Sequence, residues 1–89
     1  MTDPEFVAWL NEEVAGARMT PHQRDDLLSQ KQLFDDNLGR LESDFQNQIV
    51  GYVAGQLLVD RDLHSLLATA GANYPGSMIY FEPIGFDLF

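Results

Sequence analysis

One change of rhythm constrains this chain more than anything else in it. Apolar residues recur every three or four positions up to about Asp44, then every second position from Ile49 onward. The first spacing belongs to a helix that buries a stripe, the second to a strand that buries a face. A chain patterned this way reads as α+β, with two helices first and the sheet built from its second half.

The helical half divides in two. Thr2 and Asp3 can each cap, Pro4 suits a first helical turn, and Glu5 completes a Thr-x-x-Glu capping box. Phe6, Leu10 and Val14 follow at four-residue intervals, with Val7 and Trp9 beside them. The spacing predicts a helix within residues 1–17, ending near Gly16. Thr20-Pro21-His22-Gln23 repeats the device, and Leu27, Leu28, Phe34, Leu38, Leu41 and Phe45 carry the stripe onward. A long helix is expected within residues 20–45, from Pro21 to about Asp44. Gly39 inside it either marks a bend after Asn37 or admits a close packing neighbour.

The second half reads as a ββαβ unit over residues 48–89. Ile49 to Val59 is a hairpin, with Gly55-Gln56 fitting a two-residue type II′ turn. Asp60 or Asp62 caps a short helix bearing Leu63, Leu66, Leu67 and Ala70, for which Gly71 is the expected stop. Asn73-Tyr74-Pro75-Gly76 is a turn. Ser77 to Glu82 is a strand whose ladder Pro83 should end. After it, Ile84, Phe86, Leu88 and Phe89 keep the alternation to the last residue. A strand–helix–strand crossover usually lays the last strand parallel to an earlier one by a right-handed connection. The expected architecture is one domain, residues 1–89, with a small three-stranded sheet covered by helices on one face.

Composition narrows the function. At 45% hydrophobic with six phenylalanines, the chain can fold. Fourteen acidic residues against five basic ones give a formal net charge of −9, which disfavours direct binding to nucleic acid or to anionic membranes. With no cysteine, disulfides, thiolate catalysis and Cys-based metal sites are excluded. The acidic N-terminus lacks the layout of a signal peptide, and no apolar run is long enough to span a bilayer. A cytoplasmic protein is expected, with no cofactor.

From about Gln30 to Phe81 the chain resembles a small uncharacterised prokaryotic α+β domain family. The residues that carry the resemblance are Phe34-Asp35-Asp36-Asn37, Leu41, Gly51-Tyr52-Val53-Ala54, Gly55, Leu57-Leu58-Val59, Asp62-Leu63-His64-Ser65-Leu66-Leu67 and Met78-Ile79-Tyr80-Phe81. Two places depart from the family pattern. Phe45-Gln46-Asn47 stands where an aromatic-Pro-Gly turn is usual, and Ala54-Gly55 where Asn-Gly or Asp-Gly is usual. The resemblance implies a fold and carries over no catalytic residue.

Candidate sites are few. Asp60, Asp62 and His64 offer oxygen and nitrogen ligands for a divalent metal, but the same residues fit an ordinary helix N-terminus. His22 has Asp25, Asp26 and Ser29 nearby in sequence, as exposed first-turn residues often do. The pairs Asp25-Asp26 and Asp35-Asp36 point about 100° apart on a helix and read as a solvated face. Trp9, Phe6 and Leu10 form either a partner stripe or core. An enzyme would need a pocket joining His22 or His64 to a carboxylate such as Glu82.

The C-terminal residues Ile84, Phe86, Leu88 and Phe89 are the expected partner-binding group. Four large apolar side chains there must either fold back on the domain or meet a second molecule. The reading is a non-enzymatic protein-interaction module that self-associates as a homodimer. The alternative is an acidic inhibitor, or nucleic-acid mimic, of a basic partner protein.

Overall fold

The structure, a computed structural model, describes residues 3–85. Its elements run α1 (Asp3–Ala15), α2 (Pro21–Asp36), α3 (Leu38–Asp44), β1 (Gln48–Val53), β2 (Gln56–Asp60), α4 (Leu63–Asn73) and β3 (Ile79–Ile84). The fold is α+β, with three helices before the first strand, as the change of period requires, and α4 between β2 and β3. Thr2, and the tail residues Phe86, Leu88 and Phe89, lie outside the described residues.

Helix α1 buries Phe6 and Leu10, one turn apart. It ends in a Schellman-type turn: the Arg18 N–H reaches the Glu13 carbonyl and the Ala17 N–H the Val14 carbonyl. The left-handed residue is Ala17, at φ 59°, a position glycine usually takes. Helix α2 begins with the capping box that the sequence suggested. Gln23 N–H donates to Thr20 Oγ1 at 3.1 Å, and Thr20 N–H to Gln23 Oε1 at 2.9 Å. The expected long helix is interrupted at Asn37, whose backbone leaves the helical region at φ −109° and ψ 7°. Its side-chain amide bonds the Leu33 carbonyl at 2.8 Å, a local partner of the kind that lets Asn leave a helix. Nothing lies within 4 Å of a Cβ built on Gly39, so that glycine accompanies the bend and admits no close neighbour.

The sheet order is β2-β1-β3, antiparallel throughout. As expected of the crossover through α4, β3 runs parallel in direction to an earlier strand, β2; its hydrogen-bonded neighbour is β1, to which it lies antiparallel. The β1–β2 turn is Ala54-Gly55, closed by Val53 opposite Gln56. Both turn residues have positive φ, 50° and 76°, so the turn is type I′ and not the II′ form expected for Gly55-Gln56. Helix α4 also runs past Gly71 to Asn73. Its stop is Tyr74, which precedes Pro75 and is thereby kept from helical backbone. The turn that follows has Ser77 N–H on the Tyr74 carbonyl, with Gly76 at φ 81°, as type II requires.

Pro83 does not end its ladder. It pairs with Ile49, and Ile84 beyond it pairs with Gln48. Because proline has no N–H, the Ile49–Pro83 pair must be a non-hydrogen-bonded one, with the ring nitrogen facing away from β1. An edge strand tolerates this.

Two faces follow from the alternation along β1. Val50 and Tyr52 meet Phe34, Leu41 and Ile84 in one buried cluster, with Tyr80 packed against it. Phe6, Leu10 and Leu27 form a second cluster that also touches Tyr80. The Tyr80 ring joins the two, edge-on to Phe6 at 5.7 Å and to Phe34 at 5.4 Å. Val53 points the other way and is also fully buried, beneath α4, which packs on β2 and β1 and buries Leu66 and Ala70. Helices therefore cover both faces, where one was expected. Gly51 shares this second face, and a Cβ there would approach Ile79 Cδ1 and Phe81 Cβ to 3.1 Å. Its missing side chain lets Phe81 lie close over the central strand.

Candidate interaction surfaces

The partner-binding group divides. Ile84 is only 5% exposed and sits in the cluster with Phe34, Leu41, Val50 and Tyr52. It belongs to the domain's own core, because β3 continues through Pro83 and carries Ile84 onto the Val50 face. Phe86, Leu88 and Phe89 lie outside the described residues.

The Asp60–His64 segment is helix-start chemistry. Asp62 Oδ2 accepts from Ser65 N–H at 2.9 Å and from Ser65 Oγ at 3.0 Å. Those two bonds, the backbone one first, hold the Asp62 carboxyl below its ordinary range. Asp60 Oδ1 accepts the Asp62 N–H at 3.0 Å. Among the described residues, no three metal-ligating side chains gather. His22 is exposed at the start of α2. Its neighbours in sequence are engaged elsewhere, Asp25 with Arg24 and the Ser29 hydroxyl with the Asp25 carbonyl.

Of the acidic pairs, Asp25, Asp35 and Asp36 are exposed, as a solvated face requires, and Asp26 is the exception. Asp26 Oδ2 accepts Met78 N–H at 2.8 Å, and its Oδ1 accepts Gln30 Nε2 at 3.1 Å. Gln30 Oε1 in turn accepts Gly55 N–H at 3.0 Å. One buried glutamine and one aspartate thus tie α2 to the β1–β2 turn and to the start of β3. Asp35 bonds Lys31 at 2.6 Å, and Asp36 accepts from Gln32 at 2.7 Å. Glu13 pairs with Arg18 and Glu82 accepts from the Tyr80 hydroxyl. These carboxylates are spread over α1, α2 and the sheet rather than set in one row.

Two surfaces remain with apolar character. The first is α4 with the neighbouring strip of β3. From Leu63 to Phe81 the chain has no Asp, Glu, Lys or Arg. That run covers all of α4 and the first half of β3. Leu63 and Leu67, one helical turn apart, are 39% and 41% exposed. Ile49, Leu58, Ile79 and Phe81 are half-buried on the same sheet face by strand alternation, and Pro83 is exposed. The signal for this surface was in the sequence as an uncharged stretch in a chain of net charge −9.

The second is a cleft between α1 and α2, lined by Phe6, Val7 and Leu28 and by Lys31, Gln32 and Asp35. Of the proposed aromatic stripe, Phe6 and Leu10 are core, while Trp9 is 40% exposed with its ring 6.1 Å from that of Phe6. No helix among the described residues is long and apolar enough to cross a membrane. Compared with known proteins, the chain matches no family model, no curated protein and no solved structure.

Proposed function

We propose that this domain is a non-enzymatic protein-interaction module that self-associates as a homodimer through the uncharged face of α4 and β3. The observation that carries the reading is the exposure of Leu63 and Leu67 inside a stretch free of carboxylates. Two copies of net charge −9 repel each other over most of their surface. Docking elsewhere would desolvate or juxtapose carboxylates, and either is costly. At α4 the contact would bury leucine, alanine and half-covered sheet residues, where each Å² of apolar area favours association. A cytoplasmic setting suits a cysteine-free chain of this kind.

Phe86, Leu88 and Phe89 follow β3 in the sequence, and in this reading they contribute to self-association. Ile84 is excluded, because it is core. Light scattering at micromolar concentration on the intact chain, on Leu63→Asp/Leu67→Asp and on a chain ending at Gly85 tests it. The intact chain should give a dimer mass and the double variant a monomer with unchanged circular dichroism. A monomer for the intact chain would sink the reading.

A further inference from the structure

The α1–α2 cleft measures about 120 Å³, enough for a leucine-sized side chain. Its walls have apolar surface to spare, since Val7 is 39% exposed and Leu28 is only half-buried. Its one cation is already engaged. Lys31 Nζ lies 2.6 Å from Asp35 Oδ2 and within 6 Å of two rings, at 5.7 Å from Phe6 and 5.6 Å from Tyr80. The carboxylates around it still face water: the Asp35 side chain is 36% exposed, and the exposed Asp36 adjoins the lining Gln32 through their 2.7 Å bond.

An anion entering here would meet Asp35, Asp36 and the field of a −9 chain. A second copy of this chain would bring its own excess of carboxylates. A cation meets the exposed Asp36 and the field of a −9 chain, while Lys31 and Asp35 largely offset each other. We infer that the cleft seats one aliphatic side chain of a cationic polypeptide segment, with a Lys or Arg of that segment against Asp36, beside the Lys31–Asp35 pair. An apolar anchor in a pocket with complementary charges at the rim is a common recognition mode for amphipathic helices. The cleft lies on the Val50 face of the sheet and α4 on the other, so this site is separate from the self-association face.

The probe is an amphipathic helical peptide of leucine and lysine, titrated into the intact chain. Trp9 emission reports on the Phe6 ring, and amide resonances report on the location. The peptide should shift the resonances of Val7, Leu28 and Gln32, and its affinity should fall with added salt. Val7→Asn and, on the opposite wall, Leu28→Gln should each weaken binding about tenfold, as loss of a buried aliphatic contact would. A peptide of equal charge with glutamine for every leucine should bind far more weakly. Equal binding of that control would mean plain charge attraction and would overturn the assignment. So would unchanged affinity in both variants, no binding at all, or shifts confined to Leu63 and Leu67.

Discussion

The Asp26 carboxylate holds the backbone N–H of Met78 at 2.8 Å across 52 residues of sequence. The bond fastens the entry of β3 to the middle of α2, and through Gln30 the same residue supports the hairpin turn.

Asp26→Ala removes both acceptors and leaves the Met78 amide part-buried without a partner. It should destabilise the domain by about 1–2 kcal/mol, lowering the melting midpoint by roughly 4–16 °C for a chain of this size. Thermal unfolding followed by circular dichroism reads this directly. A change within error of zero would mean that water replaces the carboxylate at no cost.

Leu66 and Leu67 are neighbours of identical chemistry, 1% and 41% exposed. Leu66→Ala should cost about 2–4 kcal/mol through the cavity it leaves beneath α4, and Leu67→Ala about 0.5 kcal/mol or less. Urea unfolding of the two variants tests whether α4 covers the Val53 face as described. Similar losses for both would contradict it.

Two alanines stand in left-handed backbone, Ala17 at φ 59° and Ala54 at φ 50°. For a residue with a Cβ, that region costs about 1–2 kcal/mol. Ala17→Gly and Ala54→Asn should therefore each stabilise by about 0.5–1 kcal/mol. Lying in separate turns, one after α1 and one between β1 and β2, the two should add. The urea midpoint should rise with the slope unchanged.

The Asp62 carboxyl, held low by the Ser65 N–H and hydroxyl, gives stability a defined pH dependence. A carboxyl whose folded pKa is depressed contributes stability above its unfolded pKa, and that contribution is lost as pH falls through the folded value. Asn caps a helix about as well as Asp but does not titrate. Asp62→Asn should therefore hold α4 in place while flattening the loss of stability below about pH 4. Urea midpoints of both proteins across the acid range measure the difference.

Much of the fold was legible because it depends on local chemistry. The Thr20–Gln23 box, the Asp62 cap and the spacing of Phe34, Leu41, Val50 and Tyr52 each specify structure within a few residues. What was hidden depends on distant parts of the chain. Asp26 looks like its neighbour Asp25 until β3 arrives beside it. Ile84 alternates in the same way whether its strand ends at Pro83 or continues into the core. The crossover through α4 sets the direction of β3 but leaves open which edge it joins, so the antiparallel pairing with β1 had no sequence signal. Leu63, Leu66 and Leu67 differ only in where the sheet beneath them stops. The uncharged stretch around them was readable, and its meaning emerged once α4 proved to be surface.

Pro83 has a bearing on how far this protein can polymerise. Cross-β growth needs an unbroken row of amide donors on an open margin, repeated by every incoming chain. At β3 that row is interrupted one residue before the strand finishes. A newcomer zipping along this margin would lose a donor at the step where Ile84 is already committed inward, so the strand resists templating a fibril and favours assemblies of finite size.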